Sequence, residues 1–271
     1  MSKPTRPPRP QAVLTVESSE WVSPTTVRIV AGGEGFAALS LNDFTDAYVK
    51  LLFVRPELGL TPPYDEAHLR EHLAPEDQPV RRTYTLRWVD RERQQVAIDF
   101  VVHGDEGVAA PWARSARPGD QFVVSGGGGG YAPDPTADWH LFIGDESALP
   151  AIAAALEALP GEARGLAYLQ VTDDSGRIGL EAPDGIRLQW LTGGAHQTAL
   201  LADAVAAGPW PDGRVQVFAH GERESMKAVR ALLKERAVPR EDLSLSGYWA
   251  YGRTEDRFQA EKREPIGQIL V

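Results

Sequence analysis

Apolar residues in the first half of the chain come in short alternating runs rather than at helical spacing. "AVLTVES" (12–18), "TTVRIV" (25–30), "AYVKLLFV" (47–54), "TYTLRWV" (83–89), "QVAIDFVVH" (95–103) and "QFVVS" (121–125) are rich in Val, Ile, Thr, Tyr and Phe. Glycine, proline and acidic clusters bound them, as they bound strands. Six such strands without a convincing long helix predict an antiparallel barrel or sandwich. The stretch 55–80 reads as a polar, proline-bounded insertion with one or two helical turns.

Beyond Pro135 the period changes. "HLFIG" (140–144) is a short apolar strand, and in the "SALPAIAAALEAL" that follows, Leu149, Ile152, Leu156 and Leu159 recur at helical spacing. "GLAYLQV" (165–171) and "IRLQWL" (186–191) are strands, and "TALLADAVAAG" is a helix closed by Gly208. "RVQVFAH" (214–220), "ESMKAVRALLKER" and "DLSLSGYW" continue as strand, helix and strand. Strand and helix in alternation predict a parallel, doubly wound sheet. The expected organisation is a six-stranded antiparallel barrel over residues 11–135 and a parallel five-stranded α/β domain over 136–271.

Composition narrows the partners. The 271 residues suffice for two ordinary domains, and 42% of them are apolar, enough for a core. A net charge of −10 argues against nucleic acid or an anionic membrane, so an anionic ligand needs a locally basic pocket. There is no cysteine, which excludes disulfides, thiolate metal sites and cysteine-ligated clusters. No apolar run reaches the roughly 18 residues of a membrane span. The opening "MSKPTRPPRPQ" lacks the apolar stretch of a signal peptide and reads as a disordered arm. A cytoplasmic monomer without a resident metal is expected.

Two motifs compete with the main reading. "HLREH" (68–72) fits the H-x-x-E-H pattern of zinc peptidases, but it lies in the proline-bounded insertion and reads as a solvated surface turn. "SGGGGGY" (125–131) lacks the Lys-Ser/Thr of a phosphate loop and opens no helix, so it reads as a tight turn leaving the barrel. "RRTYTLR" (81–87) is different. Arg82 offers a rigid fork of donors for phosphate, Tyr84 a flat face for a ring, and Thr85 a small hydroxyl. Alternation puts Arg82 and Tyr84 on one face and Thr85 on the other. One strand later, "DFVVHGDEGVAAPWARSARPGD" (99–120) leads through glycine into a short helix with Pro111 in its first turn. The free N–H groups of that turn, near Ala109 to Ala113, suit a pyrophosphate.

These segments, with "HLFIGDESALPAI", "VFAHGERESMKAVRALL" and "GYWAYGRTEDR", resemble in order the siderophore-interacting protein family, over roughly residues 11–260. Its members are flavoproteins of the ferredoxin-reductase-like superfamily that reduce ferric siderophores. The resemblance implies non-covalent FAD on the barrel, held by Arg82, Thr83, Tyr84 and Thr85. Val102 and His103 would line the flavin, and Ala110, Trp112 and Ala113 the diphosphate side. Gly144, Asp145, Glu146 and Ser147 would meet the nicotinamide or its pyrophosphate, with Trp249 at the end of the last strand. Lys50 would face the ferric siderophore. Where relatives often carry arginine, residues 126–130 are glycine and Ala250 follows Trp249, which leaves Arg253 as a substitute cation. No residue is singled out as catalytic. The implied function is electron transfer from NADH or NADPH through FAD to the chelated Fe(III), releasing Fe(II) for iron assimilation. The acidic pair Asp173 and Asp174 after the second parallel strand favours NADH. A flavin reductase with another acceptor, or a flavin-containing siderophore-binding protein, remain as alternatives.

Overall fold

The computed structural model describes residues 10–102 and 107–269. The N-terminal arm and His103 lie outside the described residues. The chain folds into two compact units, one holding most of the residues up to Gly129 and the other most of those from Gly130 onward.

The first unit is a closed barrel of β1 (Gln11–Ser23), β2 (Thr26–Gly32), β3 (Tyr48–Phe53), β4 (Val80–Asp90), β5 (Gln95–Val101) and β6 (Gln121–Gly128). Its strands neighbour one another in the order β1-β2-β5-β4-β3-β6. Alternation drives the closure. Leu14, Val16, Ile29, Leu51, Ile98, Phe100 and Val124 point inward and form one cluster with almost no exposure. Closing the sheet also removes the unpaired edges that an open one would leave.

The glycine run is not a turn. Gly126 to Gly128 extend β6 and pair with β3, Val49 opposite Gly127 and Tyr48 opposite Gly128. The ladder shifts register opposite Lys50, and Gly126 takes φ +80°, a bulge that a residue with a side chain rarely adopts. A Cβ on Gly127 would lie 2.5 Å from the Tyr48 carbonyl oxygen, so close strand approach requires glycine there. Consecutive glycines usually mark a turn; here they serve a bulged strand end.

The insertion folds around α1 (Glu66–His72), whose first turn is capped by Asp65 accepting from His68 N at 3.1 Å. It is tied to the barrel by Gln11, which donates to Tyr64 O at 2.8 Å and accepts from Tyr64 N at 2.7 Å, and by an Arg81–Glu66 ion pair. After β5, α2 (Ala109–Ser115) lays Ala109 and Ala113, four residues apart, into the barrel core. Pro111 sits in its first turn, as the sequence predicts.

The second unit holds β7 (Trp139–Asp145), α3 (Leu149–Glu157), β8 (Arg164–Val171), β9 (Gly185–Thr192), α4 (Leu200–Ala207), β10 (Val215–Glu222), α5 (Arg223–Glu235) and β11 (Leu243–Trp249). The strands are parallel in the order β11-β10-β7-β8-β9. Leu141, Ile143, Val217 and Ala219 pack under α4 and α5, while Phe142, Ala167, Leu169 and Phe218 pack under α3. The sheet is therefore buried on both faces, as parallel sheets are. Gly208 caps α4. A further helix, α6 (Glu255–Glu261), was not foreseen, although Thr254 caps it by accepting from Arg257 N at 3.3 Å. No helix among the described residues is long and apolar enough to cross a membrane.

Candidate functional site

Register decides what the barrel presents. Arg82 lies opposite Leu51 and Tyr84 opposite Val49, so these two side chains share the inward face with core residues. Lys50 lies opposite Thr83, and Tyr48 opposite Thr85, on the outward face. The predicted split between Arg82–Tyr84 and Thr85 is thus observed, and Lys50 belongs with the threonines. Tyr84 packs on Phe100 with ring centroids 4.3 Å apart. Trp112 continues the aromatic cluster, 5.6 Å from Phe100, 5.3 Å from Phe122 and 5.8 Å from Phe53. Arg82 is half-buried, and its guanidinium donates to the Arg81 carbonyl at 2.8 Å. Ala110, Pro111, Trp112 and Val102 are also half-buried, whereas Ala113 is enclosed. The first turn of α2 has no side-chain cap among the described residues; Pro111 carries no N–H and Trp112 N donates to Val108 O at 3.4 Å, which leaves Ala109 and Ala110 as its candidate donors.

In the second unit the chain runs outward from β7 through β8 to β9, then returns to place β10 on the other side of β7. The turns after β7 and β10 therefore flank the switch point, where open α/β sheets bind ligands. "GDES" forms the first turn and "HGE" ends β10. Asp145, 8% exposed, clasps the two together. It accepts from Glu222 N at 2.7 Å, Trp249 Nε1 at 2.9 Å and Ser147 N at 3.0 Å. Its carboxylate is thus engaged within the protein. Burial raises its pKa, and the hydrogen bonds from Ser147, Trp249 and Glu222 oppose that rise. Glu222 in turn caps α5, accepting from Ser225 N at 2.9 Å, and holds Tyr251 N at 3.0 Å. Glu146 accepts from Thr172 Oγ1 at 3.0 Å and so reaches the end of β8. Gly144 serves packing: a Cβ there would meet Ala148, Ile152 and the His220 carbonyl within 2.9 Å.

Arg253 is not a loose cation. It donates to Glu261 at 2.9 Å, and the same carboxylate receives Arg223 and Arg257, each at 2.7 Å. Hydrogen bonds from these arginines, Arg223 foremost, hold Glu261 down at about 2. Asp174 is likewise engaged, with Arg177 at 2.7 Å and Thr192 at 2.9 Å, and Asp173 caps the following turn. The "HLREH" histidines are exposed and stacked at 3.9 Å on α1. No group of three or more His, Cys, Asp or Glu among the described residues could hold a metal ion.

His220 lies in the segment "VFAHGERESMKAVRALL" but is not singled out by the sequence. It is buried between Phe218, at 4.0 Å, and Tyr248, at 4.8 Å, with Nε2 3.0 Å from Ser244 Oγ. Burial pushes its pKa down to about 3 from the usual 6.5. Between those values the unfolded chain binds the extra proton, so this contribution to stability falls as pH drops below 6.5. At pH 5 the loss is about 2 kcal/mol. Asp145 acts in the opposite sense, weakening the fold as pH rises from its unfolded value of 3.8. Denaturant midpoints at pH 7 and pH 5 should therefore differ less in His220→Leu than in the wild type, and burial of His140 and Asp145 accounts for the difference that remains. An equal separation in both would remove His220 from the account.

A closed antiparallel barrel followed by a parallel five-stranded sheet with helices is a ferredoxin-reductase-like fold. Residues 15–131 match the siderophore-interacting FAD-binding domain, and residues 137–252 match the siderophore-interacting protein model. The chain is 32% identical to the ferric vibriobactin reductase ViuB of Vibrio cholerae, over 92% of this chain and 93% of that protein. It is 30% identical to the NADPH-dependent ferric-chelate reductase of Escherichia coli, over 87% and 91%. The crystal structure of a siderophore utilization protein from T. fusca superposes with a TM-score of 0.79 at 36% identity, covering 91% of this chain and 95% of that one. The chain belongs to the siderophore-interacting protein family, and its barrel is the family's FAD-binding domain.

Proposed function

We propose that the protein reduces Fe(III) held in a siderophore, using electrons that pass from NAD(P)H through non-covalent FAD, and that it does so in the cytoplasm. The observation that carries this reading is the half-buried pair Arg82 and Tyr84 on β4 of a barrel of the FAD-binding type. The names of the Vibrio cholerae and Escherichia coli relatives supply the acceptor class. Bound FAD takes an electron pair and releases electrons singly, which matches a hydride donor to Fe(III).

The residues fit that cofactor. Arg82 supplies a fork of donors for a diphosphate, and the first turn of α2 offers the Ala109 and Ala110 N–H groups, with Trp112 and Ala113 packed beside them. Tyr84, backed by Phe100, and Val102 give a ring system its apolar flank, with His103 beside Val102 in sequence, and Thr83 and Thr85 add hydroxyls. In the second unit Gly144, Glu146 and Ser147 form the turn assigned to the nicotinamide nucleotide. Asp145 acts through others: it positions Trp249 and the end of β10. Lys50 and Arg253 are assigned to the anionic chelate, with Arg253 held in place by Glu261.

Anaerobic reduction of a panel of ferric siderophores, followed by Fe(II) capture, tests the reading. Turnover that depends on NAD(P)H supports it; tight siderophore binding without turnover defeats it in favour of a binding protein. Asp173 and Asp174 disfavour a ribose 2′-phosphate, so NADH should reduce the flavin faster than NADPH. Faster reduction by NADPH would assign the 2′-phosphate to Arg177, which stands beside Asp174, since Arg187 near the start of β9 lies at the other end of the strand.

Lys50 gives a second test. At an effective dielectric near 20, a unit charge pair about 6 Å apart gains roughly 2–3 kcal/mol before desolvation and screening. Lys50→Ala should raise KM for an anionic ferric chelate, less so at high salt, and leave flavin reduction unchanged. Unchanged KM with slower flavin reduction would place the iron site elsewhere.

A further inference from the structure

We propose that the amino-terminal edge of the parallel sheet carries a binding site for a small organic monocarboxylate, at the opposite ends of the strands from the Asp145 turn. A cavity of about 560 Å³ opens there, and Trp139, Arg164, Leu166, Arg187, Pro211 and Asp212 help to line it. Strand register puts its donors on one side. Leu141 pairs with Leu166, and Leu166 with Arg187. Trp139 precedes Leu141 by two residues, and Arg164 precedes Leu166 by two. The pleat therefore sends Trp139, Arg164 and Arg187 to the same face.

Three features of this cavity call for an occupant. Trp139 is 2% exposed, yet its indole N–H has no acceptor among the described residues. A buried donor left without a partner is rare in folded proteins, and an acceptor seated in the cavity that Trp139 lines would satisfy it. Arg164 and Arg187 make no ion pair among the described residues, although most of the paired arginines in this unit sit within 3 Å of a carboxylate. The indole is also fixed in place: Trp210 packs edge-on against it at 5.1 Å, and the Arg236 guanidinium lies 5.1 Å over Trp210. A donor fixed in this way binds without the cost of ordering itself.

The charges and lining select the ligand. Two guanidiniums and a neutral N–H suit the planar, bidentate oxygens of a carboxylate. Asp212 stands on the wall and disfavours a dianion or trianion such as phosphate. Asp138 beside it is already engaged, accepting from Arg214 N at 2.6 Å. Leu166, Pro211 and the Trp139 ring offer apolar surface to the body of the molecule. A monoanion with an apolar group meets all of these at once.

Benzoate is the probe, titrated by calorimetry into the full chain with its FAD bound. It should bind, with neutral benzamide and inorganic phosphate at least tenfold weaker. The double variant Arg164→Met/Arg187→Met should lose at least tenfold in benzoate affinity while keeping wild-type flavin content, because both side chains are exposed. The chain has seven tryptophans, and Trp139→Phe identifies one indole N–H resonance by its disappearance. Benzoate should shift that resonance in the wild type. Absence of binding, unchanged affinity in the double variant, a shift confined to other indoles, or phosphate binding as tight as benzoate would each overturn the assignment. Should Trp139→Phe not fold, the double variant decides alone.

Discussion

Arg82→Ala is expected to purify pale. On the proposed assignment the guanidinium makes charge-assisted bonds to the FAD diphosphate, and their loss costs roughly 1.5–3 kcal/mol. That is about a 10- to 150-fold weaker cofactor. Arg82 is half-buried on β4 and is not itself a member of the apolar cluster that fills the barrel, so its truncation leaves that cluster's own contacts in place. The core under it is built from Leu51, Ile98 and Phe100 instead. Arg82→Lys should recover only part of the affinity, because an ammonium keeps the charge but not the planar fork. The ratio of flavin to protein absorbance after gel filtration reads both effects. A fully yellow Arg82→Ala protein with wild-type affinity removes Arg82 from the cofactor site.

What the sequence shows about Arg82 is its place in the period-two start of β4. Exposed Arg81 and Thr83 alternate with half-buried Arg82 and Tyr84, and the pattern reads directly off "RRTYTLR". In the doubly wound half, the runs that form β7, β8 and β10 are mostly apolar, and those strands are buried on both faces. Two kinds of feature escaped. The glycines at 126–128 carry no side chain, so they have no period; only the approach of Tyr48 shows that they belong to β6. The second kind is a polar group whose partner is remote in sequence. Arg253 reads as a free cation until α6 folds back and brings Glu261 to within 2.9 Å. That helix is short, seven residues, and most of its positions are exposed, so only the Thr254 cap and Phe258 announced it. Sequence also suggested Asp145 as a group facing a ligand. Beside the local Asx turn that brings Ser147 N and Oγ, its donors come from positions 77 and 104 residues away, which no local pattern could show.

Those donors make Asp145→Ala the most damaging single change expected outside the hydrophobic cores. Truncation leaves the Glu222 amide, the Trp249 indole and the Ser147 amide facing a buried space with no acceptor. Each unsatisfied donor costs roughly 1–3 kcal/mol. The three share one site and relax together, so the sum is less than additive and comes to about 3–5 kcal/mol. A loss of that size is a large part of the stability of an ordinary domain. It should appear as a lower denaturant midpoint for the sheet unit, with Trp249 fluorescence reporting the release of its indole. Asp145→Asn keeps one acceptor oxygen but turns an N–H toward donors, so it should fall between the wild type and Asp145→Ala. It also removes the carboxyl that burial raises, and with it the Asp145 part of the pH dependence. An Asp145→Ala protein as stable as the wild type would mean that water replaces the carboxylate and that the clasp is not what orders the turns after β7 and β10.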